Sequence, residues 1–411
     1  MALSPVPQSP AGVGKGVTKP LGFRAGVAAA DVRGDGQERL DVAILESDRP
    51  AAAAGVFTRN LVKAAPVVIS QLHLKRGLAR AVAGNSGNAN ACTGSTGLAD
   101  ALRMAQATSD AVDCSPGEVL VASTGVIGRQ LPMDRILPAI ASAAEALSPS
   151  GGAAAALAIM TTDTYPKEAG ATFEVAGVTH AVGGMAKGSG MIHPDMATLL
   201  GFVTTDALVD PPLLRSLLLE AVQESFNRIS VDGDTSTNDT CLLLANGAAG
   251  GPNLEPGSDG ARLFAEALRT VLASLAEQVV ADGEGATRTF SVTVTGAVDR
   301  AQAVAAARTV TSSPLVKTAI HGGDPNWGRI LAAVGRSGAE LALDRCRLTI
   351  QGEELFAMGR VVPASLPRLV PKLLEPRIAI AIDLGVGEAE AAAVGCDLSS
   401  DYVRINADYS T

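Results

Sequence analysis

The chain has 411 residues, of which 47% are hydrophobic and only 3% aromatic, and its formal net charge is −9. This length is enough for two or three domains built around an aliphatic core. The acidic balance, without a basic stripe, argues against nucleic acid as a partner. The most apolar run, residues 151–160, is too short to cross a bilayer, so no membrane partner is expected.

The cysteines and the N-terminal residues bear on the cellular location. The five cysteines are scattered, odd in number and free of C-x-x-C spacing. Neither a disulfide framework nor a structural zinc site is therefore expected, and the expected location is the cytoplasm. The first 20 residues are rich in proline and glycine and lack the apolar stretch of a secretory signal, so we expect an irregular lead-in.

In the first half of the chain, short apolar runs separated by glycine and polar clusters indicate strands and one helix. The predicted elements are strands at 41–48, 55–60, 62–70 and 118–128 and a helix at 99–112. The last of these strands is a buried run that leads directly into a glycine turn.

In the second half, Asp210 and Pro211 mark a helix start, with a capping carboxylate followed by proline in the first turn. A second amphipathic helix is predicted at 263–280, and the glycine-containing stretch 281–285 ends it. The following pattern predicts a strand at 290–298, a helix at 299–310, a hairpin at 345–356 and a strand at 377–387.

Strands and helices are mixed without a strict βαβ rhythm, and no repeat of fixed period is visible. The fold class is therefore α/β or α+β, arranged in layers. The clearest change of pattern lies near 285–290. We expect a main catalytic unit at 1–287 and a smaller C-terminal α+β domain at 288–411.

The segment VDGDTSTND (231–239) carries Asp232, Asp234 and Asp239 and looks like the opening of a calcium loop. Position 12 of such a loop must be a bidentate glutamate, but here it is Leu243. We interpret the segment as a turn with hydroxyl caps. The four histidines do not cluster with carboxylates either, so no metal and no cofactor are expected.

Three sets of hydroxyl groups remain as candidates for chemistry: STG at 123–125, TTDT at 161–164, and Thr198. Taken singly, each fits a turn or a cap. The first follows an apolar strand, where a turn would expose the N–H and hydroxyl donors of an oxyanion hole. Thr198 has no nearby base, but its own α-amino group would serve if the chain were cut after Ala197.

Specific motifs make the chain recognisable over almost its whole length. It closely resembles the ornithine acetyltransferase family, also called glutamate N-acetyltransferase, of arginine biosynthesis. The stretches that carry the resemblance include GNANACTG (87–94), STGVIGRQLPMD (123–134), GGMAKGSGMIHPDMATLLGFVTTDA (183–207), SVDGDTSTNDT (230–240), ADGEGATR (281–288), SPLVKTAIHGGDPNWGRILAAVG (313–335) and DYVRINADYST (401–411).

The resemblance implies a layered sandwich of the self-cleaving ornithine acetyltransferase and aminopeptidase type. It implies cleavage between Ala197 and Thr198, giving an α chain of residues 1–197 and a β chain of residues 198–411 in an α2β2 assembly. Thr198 would then be the nucleophile that takes acetyl from N-acetylornithine and passes it to glutamate in a ping-pong reaction. Some members of the family also accept acetyl-CoA as donor.

The resemblance also implies residue roles. Thr124 and Gly125 would stabilise the oxyanion, and the C-terminal tail would return to the site. The residues expected to contact substrate are Thr161, Lys187, Thr198, Glu284, Asn406 and Thr411. Lys187 can pair with a substrate carboxylate, and Glu284 with the ornithine ammonium. Many members have asparagine where this chain has Asp195, a change that we expect to alter the rate of cleavage but not the nucleophile.

Two alternatives stay open at this point. A self-cleaved aminopeptidase or amidohydrolase of the same fold would pass the acyl group to water instead of glutamate. An uncleaved relative that binds ornithine or arginine as a sensor would transfer no acetyl group.

Overall fold

The computed structural model describes residues 16–193 and 199–408. The predicted lead-in falls mostly outside these residues, and its described end, residues 16–22, forms turns and bends. Within the described residues no helix is both long enough and apolar enough to cross a membrane.

The strands, in chain order, are β1 (Phe23–Ala28), β2 (Val42–Phe57), β3 (Leu78–Asn85), β4 (Val119–Ser123), β5 (Lys167–Val175), β6 (Val178–Lys187), β7 (Leu200–Thr205), β8 (Ile229–Ser230), β9 (Thr240–Ala245), β10 (Thr289–Ala297), β11 (Arg347–Ile350), β12 (Glu353–Ala357), β13 (Arg360–Val361), β14 (Arg377–Asp383) and β15 (Ala389–Cys396).

The α-helices are α1 (Ala65–His73), α2 (Gly94–Val112), α3 (Met133–Glu145), α4 (Gly152–Ala158), α5 (Pro211–Glu224), α6 (Asp259–Ala281), α7 (Arg300–Thr311), α8 (Pro314–Gly322), α9 (Trp327–Gly335), α10 (Leu366–Leu369) and α11 (Ser400–Asp408).

The first sheet has the strand order β4-β3-β2-β9-β7-β6-β5, with β1 paired to β2. Both of its faces are buried, as neighbouring residues of β9 illustrate: Leu243 packs in the cluster with α5 and α6, whereas Leu242 packs with Phe23 and the alanines of α4. A third cluster joins α1, α2 and α3 to β2, β3 and β4. Burial on both faces explains why these strands read as continuous apolar runs.

The second sheet has the order β13-β12-β11-β14-β10-β15-β8. Ile378, Ile380 and Ile382 of β14 are buried, while the residues between them are exposed. The buried face packs against α7, α8 and α9. This period-two pattern is the one that the sequence predicted for 377–387, and it confirms a half-buried strand there. Because β8 precedes residue 288, this sheet draws strands from both sides of the expected domain boundary.

The mixed α/β class in layers is confirmed, and most predicted elements are present with shifted ends. The helices predicted at 99–112, 263–280 and 299–310 correspond to α2, α6 and α7. The two strands predicted at 41–48 and 55–60 are one continuous strand, β2.

The strand predicted at 62–70 is wrong, because residues 65–73 form helix α1. Tertiary contacts determine the helical conformation of this segment. The Ser70 hydroxyl donates to the Val121 carbonyl and accepts from the Val121 N–H at 2.7 and 2.8 Å. The helix therefore supplies hydrogen bonds to edge strand β4, a gain that outweighs the strand preference of its Val and Ile residues.

The predicted carboxylate cap at Asp210 is also wrong in its detail. Helix α5 begins at Pro211 as predicted, but the Asp210 side chain does not accept a hydrogen bond from the helix. It accepts instead from Asn253 Nδ2 at 3.1 Å. Because Pro211 and Pro212 have no N–H groups, few donors are left for a cap to accept from.

Candidate active site

A sharp turn after β4 presents Thr124 and Gly125. The Thr124 N–H donates to the Asn85 carbonyl at 3.0 Å. Gly125 has φ of 133°, and a Cβ there would lie 2.3 Å from the Gly87 carbonyl carbon. Glycine is required at this position by conformation and by space. The turn thus holds the predicted oxyanion donors against residues 87–88, and both Thr124 and Gly125 line one cleft.

Lys187, the last residue of β6, lies almost fully buried beside this turn. Its Nζ donates to Thr124 Oγ1 at 3.1 Å and to Thr161 Oγ1 at 2.7 Å. Burial lowers the pKa of Lys187, and the negative charge of Asp163 opposes that shift. The lysine therefore joins two of the predicted hydroxyl sets that lie far apart in sequence.

The Asp163 carboxylate accepts hydrogen bonds from three groups next to the cleft. Its Oδ1 accepts from Lys167 Nζ and from the Gly188 N–H, each at 2.7 Å, and its Oδ2 accepts from the Thr161 N–H at 3.0 Å. Burial by itself would raise the pKa of this carboxyl, but Lys187 and Lys167 outweigh burial and hold the pKa at about 2. Asp163 is therefore ionised and holds the loop that carries Thr161.

Glu284 and Asn406 also line this cleft and contact each other. Asn406 Nδ2, on α11, donates to Glu284 Oε2 at 2.8 Å. A Cβ on Gly190 would lie 2.5 Å from the Glu284 carboxylate, so the loop after β6 approaches this carboxylate closely. The start of helix α11 is held from a second point, because the Ser399 hydroxyl donates to the Gly285 carbonyl at 2.6 Å.

Residues 194–198 lie outside the described residues, so Ala197 and Thr198 are not described, and neither is Thr411. The two described ends of that segment are both anchored. Ile192 accepts from the Val231 N–H at 2.6 Å and donates to Asp232 Oδ1 at 2.9 Å. Leu199 accepts from the Thr240 N–H at 2.8 Å.

The structure brings every described member of the predicted site to one cleft. It is lined by Thr124, Gly125, Thr161, Lys187, Glu284 and Asn406, together with Ile192 and Leu199. Sequence reasoning missed Asp163, Asn238 and Asp239 as parts of this region. The available signal was the position of these residues inside the TTDT and STND motifs, of which the first was considered only for its hydroxyl groups and the second only as a turn or a failed calcium loop.

Asn238 and Asp232 have structural contacts that explain much of the SVDGDTSTNDT motif. Asn238 Nδ2 donates to the Ala89 and Ser123 carbonyls at 2.5 and 2.8 Å. The Asp232 carboxylate accepts from backbone N–H groups, including that of Met191 at 2.6 Å. Among the residues described, no group of three or more His, Cys, Asp or Glu side chains is arranged to hold a metal ion.

Comparison with known proteins identifies the family. The model of the ArgJ family matches residues 24–411. The arginine biosynthesis bifunctional protein ArgJ of Symbiobacterium thermophilum is 53% identical and covers 96% of this chain and 98% of its own length. The protein of the same name from Dehalococcoides mccartyi is 46% identical, with 96% and 97% covered.

A solved structure is also similar in sequence. The arginine biosynthesis bifunctional protein ArgJ of Bacillus halodurans is 41% identical, covers 51% of this chain and 98% of its own, and superposes with a TM-score of 0.49. The family assignment depends on the near full-length matches, which extend through every motif that lines the cleft. This chain belongs to the ArgJ family.

Proposed function

We propose that this chain is a glutamate N-acetyltransferase of arginine biosynthesis, which transfers acetyl from N2-acetyl-L-ornithine to L-glutamate. The observation that carries the proposal is the single cleft lined by Thr124, Gly125, Lys187 and Glu284, with both anchored ends of the 194–198 segment at its wall. Family membership supports it, since the relatives are named as arginine biosynthesis proteins.

The proposal includes self-cleavage between Ala197 and Thr198. The Thr198 hydroxyl attacks the Ala197 carbonyl carbon, the peptide C–N bond breaks as the ester C–O bond forms, and the hydroxyl proton ends on the released Thr198 nitrogen. Water then hydrolyses the ester, which leaves the carboxylate of Ala197 and a free Thr198 with its own α-amino group. That amine is the base that the sequence otherwise lacks.

Transfer then proceeds in two balanced halves. Thr198 Oγ attacks the acetyl carbon of N-acetylornithine, and the hydroxyl proton passes through the α-amino group to the departing ornithine nitrogen. The glutamate amine next attacks the acetyl ester, and its proton returns to Oγ as the C–O bond breaks. In both halves the oxyanion would accept from the Thr124 hydroxyl and the Gly125 N–H.

The remaining residues provide charge for an amino-acid substrate. Lys187 offers an ammonium group toward a substrate carboxylate, and Thr161 lies beside that ammonium. Glu284 offers a carboxylate to the ornithine side-chain ammonium, and Asn406 holds that carboxylate in place. Thr411 would complete the site. This pairing of opposite charges favours an amino-acid acceptor over water.

We further propose acetyl-CoA as a second donor, because the relatives are named bifunctional. The family resemblance also supports an α2β2 assembly of two cleaved protomers in the cytoplasm. Size-exclusion chromatography with light scattering tests the assembly, and initial-rate assays with each donor test the second activity.

The deciding experiment is the intact mass of wild type and Thr198→Ala under denaturing conditions, followed by an assay with isotope-labelled N-acetylornithine and glutamate. We expect two fragments and labelled N-acetylglutamate from wild type, and one full-length chain without transfer from the variant. A single intact chain in both would overturn the mechanism and favour a sensor. Labelled acetate without N-acetylglutamate would instead identify a hydrolase.

A further inference from the structure

A second cavity, separate from the cleft described above, is lined by five arginines. Its volume is about 540 Å³, and it shares no lining residue with the cleft. It lies where α5 and α6, which pack on the first sheet, meet α7, which packs on the second. We call it the arginine cavity.

The five arginines come from parts of the chain that are far apart in sequence. Arg300 and Arg308 lie on α7 at positions i and i+8, so they are on one face of that helix. Arg269 comes from α6, and Arg59 and Arg228 come from the segments that follow β2 and α5. The fold therefore brings five guanidinium groups to one cavity.

The charge of this lining is opposite to that of the protein as a whole. Only two carboxylates, Glu220 and Glu224, line the cavity with the five arginines. One of them pairs with Arg300, at 2.9 Å between Arg300 Nη2 and Glu224 Oε1. The lining is thus strongly positive in a chain whose net charge is −9. Such a concave positive surface attracts and concentrates anions.

The guanidinium group of Arg228 is held by neutral acceptors. Its Nε donates to the Gln223 carbonyl at 2.8 Å, and its Nη1 donates to the Ala392 carbonyl at 3.2 Å. Arg308 Nη1 also donates to a backbone carbonyl, that of Asn227, at 2.8 Å. Carbonyls fix a guanidinium in place without cancelling its charge. Because each guanidinium has five N–H donors, such bonds leave others for a ligand.

The arginines of the cavity also repel one another. Burial is the largest cause of the lowered pKa of Arg228, and the charges of Arg300 and Arg308 lower that pKa further, whereas Glu224 raises it. A bound anion would relieve this repulsion, since like charges at short range raise the free energy of the unoccupied cavity.

We propose that the arginine cavity binds the phosphate chain of a small molecule. A planar guanidinium can donate two parallel hydrogen bonds to one phosphate group. A chain of phosphates brings several negative charges into one cavity, whereas a single carboxylate brings only one. None of the described residues that line the cavity is aromatic, so no side chain there can stack on a base. The phosphates, rather than a base, are therefore recognised.

The test is isothermal titration calorimetry with inorganic tripolyphosphate, on wild type and on the double variant Arg269→Gln with Arg300→Gln. Both side chains are exposed, so we expect an unchanged unfolding temperature. Kd should rise at least about tenfold in the double variant, the size of one charge-assisted hydrogen bond, and added NaCl should weaken wild-type binding. The matched control is Arg262→Gln, also exposed on α6 but outside the cavity lining and paired with Glu266, which should bind as wild type does.

Further probes identify the source of the phosphates. Equal Kd values for ATP and tripolyphosphate would support recognition of the phosphate chain alone. Tighter binding of ATP or of coenzyme A, lost in the same double variant, would support the site and identify a nucleotide or a CoA ester as its ligand. Absence of tripolyphosphate binding to wild type, or equal binding by the double variant, would overturn the inference. Hexaglutamate binding more tightly than tripolyphosphate would also overturn it and indicate an acidic protein segment instead.

Discussion

Lys187 Nζ lies 3.1 Å from Thr124 Oγ1, and this contact determines how the threonine hydroxyl can donate. The lysine is always the donor, so it occupies a lone pair on Oγ1. The hydroxyl hydrogen must then point elsewhere, and the cleft is the open direction. A buried cation would thus orient the proposed oxyanion donor before any substrate arrives, which is how preorganised donors lower a barrier.

Replacing Lys187 by methionine should therefore reduce turnover. Methionine has similar length but no donor, so the Thr124 hydroxyl loses its fixed orientation and the substrate carboxylate loses its partner. We expect kcat, measured per cleaved protein, to fall by about 10²-fold. Lys317→Met is the control, since Lys317 is equally buried but bonds to the Cys396 carbonyl in the second sheet. An unaltered kcat in Lys187→Met would rule out this orienting role.

The lowered pKa of Asp163 predicts how the free energy of unfolding depends on pH. Its pKa is about 2 in the folded chain against an ordinary value of 3.8. A lowered pKa adds stability that is complete above the ordinary value and disappears as pH falls from about 4 to 2; the contribution is about 2 kcal/mol. Urea unfolding should show Asp163→Asn less stable at pH 7 by about 3–5 kcal/mol, because Lys187 is left uncompensated.

The difference between wild type and Asp163→Asn should shrink as the pH is lowered toward 2. Asp134→Asn, which removes an exposed carboxylate of α3, should show no such pH-dependent difference. A gap for Asp163→Asn that stays constant between pH 4 and pH 2 would contradict the assigned ionisation.

Gly125 and Gly128 form a matched pair for testing the turn after β4. Both have positive φ, at 133° and 84°, but only Gly125 is crowded, by the backbone of Gly87. Gly128→Ala should cost about 1 kcal/mol of stability from backbone strain alone. Gly125→Ala should cost clearly more and abolish transfer, because the turn must move. Equal unfolding temperatures for the two variants would show that the crowding is unimportant.

Asn406→Ala tests whether the last helix contributes to the site. The change removes the donor to Glu284 Oε2, so that carboxylate should lose its orientation toward the substrate ammonium. We expect KM for N-acetylornithine to rise about tenfold, the size of one charge-assisted hydrogen bond, with an unchanged unfolding temperature. Arg404→Ala, on the same helix, removes only an exposed pair with Asp401 and should leave KM as in wild type.

Sequence patterns predicted the secondary structure correctly where the local preference of the residues agrees with their burial in the folded protein. The alternation at 377–387 predicted β14, because one face of that strand is buried and the other is exposed. The strand predicted at 62–70 was wrong. Valine and isoleucine favour strands in isolation, but Ser70 makes its hydrogen bonds to β4 from a helix. The partner of Asp210 was likewise a distant residue, Asn253.

By itself the sequence determined the layered mixed fold, the family and part of the cleft lining, because hydrophobic period, turn residues and motifs are local features of the chain. Only the tertiary structure decided which of those residues are in contact and how each one shifts the pKa of its neighbours. Asp163, Lys187 and Asp239 are far apart along the chain, and their ionisation depends on burial and on neighbours that other strands bring close. Burial raises the pKa of Asp239, whereas Lys187 and Lys167 hold the pKa of Asp163 low, and neither shift can be inferred from residue type.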